Sequence, residues 1–337
     1  MATAARPLAA ARSRRVVLIV ALVALAAAAT VVGATLLQTR GEHTTVPDAV
    51  TGARSGPPLL QLEFGVRNTR ETRALAQAEA LYEGKPRHIA QAAAVFRRYH
   101  SVEAQLGSAF TSWSGPSSLG RVQKLAAAHG NDPVALLNLG WADYQAGRNA
   151  DAAAAWHKTA ARFPDSPYGV DAEWALHGGP AGLPVIVTGL ELPNGIANLP
   201  AAAQLVALER AAAGGGAKAK LLYGAALWYF RRPISAEREF AAAAKLAPHD
   251  PAARAAAAVG LFSKANPTRA FAHLGPLTAV FPHSPAIEFH LGALLVFIGQ
   301  YGKAAKQLHA AVADGPHSPY AQDARALLAT LARTRSK

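Results

Sequence analysis

Residues 281–285 read Phe-Pro-His-Ser-Pro, and the stretches at 247–251 (APHDP) and 315–319 (GPHSP) return nearly the same phrase at a constant pitch of 34 residues. Counting back from each phrase gives three consecutive units: 217–250, 251–284 and 285–318. Pro248, Pro282 and Pro316 share one place in them, and Ala236, Ala270 and Ala304 another. Phe240, Leu274 and Leu308 share a third, and Ala243, Leu277 and Ala311 a fourth. Richness in alanine does not explain prolines that keep the same period. A fixed period of this size is the signature of a repeat architecture. A fourth unit fits at 133–166, where Leu139-Gly140 match Tyr223-Gly224 and Leu291-Gly292, and Ala152, Trp156 and Pro164 fill the alanine, aromatic and proline places.

The phrase reads as punctuation. Its first proline ends one helix pair. The Asp or Ser is an N-cap whose side chain accepts from free amides of the next helix. The second proline takes the first helical position, where a missing N–H costs nothing. FPDSP at 163–167 repeats the device. The histidines inside it, His249, His283 and His317, are expected about 8–10 Å or more apart on packed helices. Zinc ligands each lie about 2.0–2.1 Å from one ion, so these three do not suit a shared metal.

On these residues the unit resembles the tetratricopeptide repeat, whose signature sets Leu-Gly, Tyr, Ala, a large aromatic, Ala and Pro along 34 positions. The match is good at 133–166, 217–250 and 285–318, and weaker at 251–284, which carries Ala257-Ala258 where Leu-Gly is expected. The resemblance implies an all-α fold, an α-solenoid of antiparallel helix pairs stacked into a superhelix. Independently, each half unit has a usual helix length. Small residues at Gly140, Ala152, Gly224, Ala236, Gly292 and Ala304 would let paired helices approach.

The bulk numbers agree with a helical chain. Hydrophobic letters make up 51% of 337 residues and charged ones 16%, so a polar disordered chain is excluded. Alanine, the best helix former, is abundant. The absence of cysteine removes disulfides and thiolate chemistry together. The net charge is +13, with Arg6, Arg12, Arg14, Arg15 and Arg40 all ahead of the first acid, Glu42.

Residues 16–37 form a run of 22 residues without a charge. About 20 apolar residues suffice to cross a bilayer. Four arginines precede the run, so the positive-inside rule predicts a single-pass signal anchor with a cytoplasmic N-terminus (1–15) and residues 41–337 extracytoplasmic. A cleaved signal peptide is the rival, although its apolar region is usually only about 7–15 residues long.

The remaining domain boundaries follow. Residues 38–58 are expected as a flexible linker and 59–132 as degenerate helical repeats, with Ala92 and Phe96 in the alanine and aromatic places. Residues 167–216 form a degenerate repeat with a Gly- and Pro-rich loop at 177–200, in which Val185-Ile186-Val187 look extended. A helix at 201–213 ends at three glycines, and 319–337 is a capping helix of the kind solenoids need.

No constellation for chemistry emerges. There is no His-Glu-x-x-His helix, no Gly-x-Ser-x-Gly elbow and no Gly-Lys-Ser/Thr after the glycine run at 214–216. No catalytic, metal or cofactor site is expected, and the chain does not read as an enzyme. The resemblance instead implies a groove lined by the first helix of each pair. It places Trp141, Tyr144, Trp228, Tyr229, Phe262, Phe289 and Phe297 there as candidate partner-binding residues. Aromatic anchors commonly dominate interfaces, but the same side chains also suit packing between repeats. Apart from Lys218, the groove lacks the Lys, Arg and Asn set with which family members clamp a terminal carboxylate. The expected function is a membrane-anchored scaffold or assembly factor that binds an apolar or amphipathic segment of a protein partner. It is not expected to bind nucleic acid. The alternative is an anionic envelope polymer or a membrane surface bound through basic faces, which salt would weaken steeply.

Overall fold

A computed structural model describes residues 52–335. The expected membrane span at 16–37 lies outside the described residues. Among the described residues no helix is long and apolar enough to cross a membrane.

The described chain is helical and without strands. Its N-terminal half holds α1 (Arg70–Glu83), α2 (Ile89–Phe96), α3 (Val102–Thr111), α4 (Leu119–Ala128), α5 (Pro133–Gln145), α6 (Asn149–Arg162) and α7 (Pro167–His177). An irregular stretch follows, broken by the single turn α8 (Asn194–Ala197). The C-terminal half holds α9 (Ala201–Ala213), α10 (Ala217–Tyr229), α11 (Pro233–Leu246), α12 (Pro251–Val259), α13 (Thr268–Leu274), α14 (Leu277–Val280), α15 (Pro285–Phe297), α16 (Tyr301–Asp314) and α17 (Pro319–Arg335). Successive helices pack on one another, most extensively within the pairs α5–α6, α10–α11 and α15–α16, in a row of helix pairs.

The repeating phrase works as its chemistry demands. Pro133, Pro167, Pro251 and Pro285 each open a helix. Asp132 accepts from the Val134 amide at 3.0 Å, Ser166 from Gly169 at 3.1 Å, Asp250 from Ala252 at 2.9 Å and Ser318 from Ala321 at 3.2 Å. Ser284 holds the same place without a side-chain cap bond. Of its three histidines, His249 and His317 are exposed, and His283 lies 3.0 Å from the Asp314 carboxylate at the surface.

Close approach within pairs also follows the sequence. A Cβ on Gly140 would overlap the Trp156 indole, and one on Gly224 would sit 2.7 Å from the Phe240 ring. Trp156, Phe240 and Leu308, at the same place in three repeats, are fully buried. Each contributes roughly 1.5–3 kcal/mol by leaving water.

Three expectations need correction. The repeat at 251–284 has its second helix broken into α13 and α14, because Gly275-Pro276 interrupts it. Residues 54–58 are not a flexible linker, and 59–69 are not a helical repeat. They form one continuous non-helical arm laid on α1, α5 and α7, with Pro58, Leu60 and Leu62 buried. The arm lacks helical periodicity. Its buried residues, Pro58, Leu60 and Leu62, alternate instead, as an extended chain requires.

Each half has its own core. One cluster joins Leu60, Tyr82, Phe96, Phe110, Leu137 and Trp156, and a second joins Leu221, Trp228, Phe240, Val259 and Leu294. The two halves meet through polar contacts, Arg231 with Glu63 and Asp171 and Ser235 with Asp165, and Lys264 donates to the carbonyls of Gly178 and Pro180 in the stretch that joins them.

Candidate functional site: two grooves filled by the chain itself

The first groove runs between α1 and α5. Along one edge of the arm, the amides of Leu60 and Leu62 donate to Glu83 at 2.7 Å and Glu79 at 2.6 Å, two carboxylates one turn apart on α1. Along the other edge, Asn138 of α5 grips residue 61 twice. It accepts from the Gln61 amide at 3.0 Å and donates to the Gln61 carbonyl at 2.8 Å. Its amide also donates to the Val134 carbonyl one turn back, at 2.9 Å, which fixes its rotamer. The Tyr168 hydroxyl on α7 does the same for residue 63, accepting from its amide at 3.2 Å and donating to its carbonyl at 3.0 Å. Tyr82 donates to the Pro58 carbonyl at 2.6 Å. Upstream, the Gln145 side chain donates to the carbonyls of Ser55 and Gly56 at 2.8 Å each. Nearly all of these bonds are to main-chain atoms, alternating from side to side as extended polypeptide presents them.

Burial tunes the carboxylates in this groove. It pushes the Glu79 carboxyl up to about 8, with the Leu62 amide pulling the other way and Glu83 and Asp171 adding to the rise. Glu83 is raised for the same leading reason. Asp171, buried on α7, is pushed up to about 7 by burial, while the nearby Lys264 opposes the shift.

The second groove is covered by residues 180–190 of the Gly- and Pro-rich loop. The Trp228 indole donates to the Pro184 carbonyl at 2.6 Å. The Val187 amide donates to His290 Nε2 at 3.1 Å. His290 Nδ1 lies 2.6 Å from the Ala286 carbonyl, so its hydrogen sits on Nδ1 and Nε2 is free to accept. Burial holds His290 down to about 4. Leu183, Ile186 and Leu190 pack on one core cluster and Val185 and Val187 on the next.

The sequence-predicted anchors separate accordingly. The Trp141 indole donates to the Gln61 side chain at 2.6 Å and lies 4.8 Å from the Trp156 ring, edge to face. Tyr144 lies under the Arg54 guanidinium, 3.5 Å from its ring centroid. Trp228 is buried beneath Pro184. Phe262 and Phe297 pack edge to face at 5.9 Å, and Phe289 lies 6.3 Å from Tyr320. Tyr229 is 60% exposed and lies against Phe230. Sequence reasoning missed Asn138 and His290, both fully buried. Their signal was present: each is a polar residue just before Leu-Gly on a largely apolar helix.

No family model and no curated protein matches the chain. Solved structures do. The TPR2AB domain of yeast Sti1 in a pHSP90 complex is 13% identical, with 79% of this chain and 98% of that one covered and a TM-score of 0.30. Yeast Tom70 is 10% identical at a TM-score of 0.34, with 82% of this chain and 52% of that one covered. A tetratricopeptide repeat protein of Parabacteroides merdae is 14% identical at 0.32, with 78% and 98% covered.

Proposed function

We propose that this protein is a non-catalytic scaffold that receives extended stretches of other polypeptides on its helical repeats. Residues 16–37 would hold it in a membrane, with the repeats on the extracytoplasmic side. One observation carries the reading: in both grooves, side chains on the first helix of a repeat bind polypeptide chiefly through its main chain. Recognition of that kind is not confined to one sequence, and buried aromatic side chains beside it supply the apolar contact.

The test uses the full chain in its native membrane, with a photo-crosslinker in place of Tyr144 or of the exposed Tyr229. Crosslinks to discrete polypeptides that persist at high salt are expected. Crosslinks only within the chain, with anionic polymer eluted by salt, would sink the scaffold reading and favour binding by the basic faces. Protease added from outside intact cells should cut within 41–337; full protection would refute the orientation.

A further inference from the structure

The tight turns inside the repeats point to a latch. At the fifteenth position of its unit, repeat 133–166 has Gly147 at φ +82° and repeat 285–318 has Gly299 at φ +74°. Repeat 217–250 has Arg231 there, at φ +54°. L residues avoid this left-handed region, and such strain persists only where its surroundings enforce it. The turn itself is ordinary: the Arg231 amide donates to the Trp228 carbonyl at 2.9 Å. The side chain supplies the reason. Its guanidinium bonds Glu63, in the arm, and Asp171 Oδ1 at 2.8 Å, in α7. The other Asp171 oxygen, Oδ2, is buried without a hydrogen-bond partner. One strained arginine from the C-terminal half thus closes over the end of the arm that fills the N-terminal groove.

The arm is joined to the rest of the described chain at a single point, the exposed turn around Gly65, where φ is +54°. Most of its hydrogen bonds in the groove are made by its main chain, and a few side chains add to them. Pro58, Leu60 and Leu62 point inward, Gln61 reaches Trp141, and an acid at 63 meets Arg231. We infer that residues 54–64 are an internal ligand, latched by Arg231, and that the external ligand of this groove is an extended segment of a partner protein with the same pattern: apolar at every second residue, an acid at its C-terminal end. This inference rests on the scaffold reading and names the partner class and the control of one of its two grooves. An acidic end suits the site because the Arg231 guanidinium reaches the side chain at 63 with one nitrogen while the other holds Asp171.

The experiment is peptide exchange on the full chain carrying a protease site in the turn at 65–68. The probe is a fluorescent peptide of residues 52–66. After cleavage the arm is held only by its contacts. The labelled peptide should then enter the nicked chain and not the intact one. A peptide with Leu60 and Leu62 replaced by Asp should fail to enter. Arg231→Gly, which restores the glycine of the sister repeats, should speed exchange at least tenfold without lowering the melting temperature of the repeats in proportion.

A nicked chain that keeps its arm and excludes the probe would overturn the inference. So would a nicked chain that unfolds, because a segment the fold requires is not a displaceable occupant. Equal entry into the intact chain would also overturn it, by showing that the arm occupies nothing. Each of these leaves the scaffold reading to the membrane crosslinks. Loss of those crosslinks with exchange intact would remove the scaffold and keep the groove.

Discussion

Asn138 and His290 stand at the sixth position of repeats 133–166 and 285–318, and each holds a crossing segment by its main chain. Both also bond the carbonyl one turn back on their own helix, at Val134 and Ala286. The surroundings differ. The N-terminal groove is lined by carboxylates, amides, phenols and the Trp141 indole, and its occupant is an extended arm ahead of α1. The C-terminal groove is lined by indole, imidazole and phenyl rings, and its occupant is an internal loop fixed at both ends. In these two repeats the sixth position is therefore a device for gripping polypeptide, whereas the other two carry Leu222 and Ala256 there. The residue placed there and its neighbours decide how firmly, and under what conditions, the grip holds.

The sharpest way to break this comparison is Trp228→Ala. Trp228 belongs to the second core as well as to the groove, packing 6.2 Å from Phe240. Truncation should cost about 3–5 kcal/mol in denaturant unfolding of the C-terminal half. Trp141→Ala should cost clearly less, because Trp141 is only partly buried and faces the arm. Equal losses would mean that the two grooves are equally structural.

Much of this was legible in the sequence, and the exceptions have a common cause. Helices α9 and α17 lie at 201–213 and 319–335, as read from glycine, proline and apolar spacing. Caps and close approaches are local, so local residues announce them. The arm is different. Leu60-Gln61-Leu62-Glu63 alternates visibly, yet its partners are Glu79, Asn138, Tyr168 and Arg231, far away in the chain. An extended segment without a neighbouring strand has no local signature for what it will bind. The same limit hid the difference between Trp228, which is core, and Tyr229, which faces solvent one residue later.

A smaller effect separates the two grips themselves. Asn138→Ala removes two bonds to the arm and strands the amide and carbonyl of Gln61, a loss of about 1–3 kcal/mol. His290→Ala removes one, from Val187. Hydrogen exchange should show the Gln61 amide losing more protection in the first variant than Val187 does in the second. The reverse order would mean that the loop depends on its histidine more than the arm does on its asparagine.

The smallest effect carries a sign. Glu79 lies at about 8 in the fold, above its ordinary 4.5, so its contribution is complete below pH 4.5 and is lost as pH rises through 8. His290 lies at about 4, below its ordinary 6.5, so its contribution is complete above pH 6.5 and is lost as pH falls through 4. Raising the pH from 4.5 to 8 should therefore loosen the arm, and lowering it from 6.5 to 4 should loosen the loop. After correction for intrinsic exchange rates, amide protection at Leu62 and Val187 should move in opposite directions across the shared window. Glu79→Gln should flatten the first trend and leave the second, because Glu79 is the acceptor for Leu62 and touches nothing at Val187. Parallel trends at both amides, or a Leu62 slope unchanged by Glu79→Gln, would show that a global titration, rather than the two grooves, sets the response.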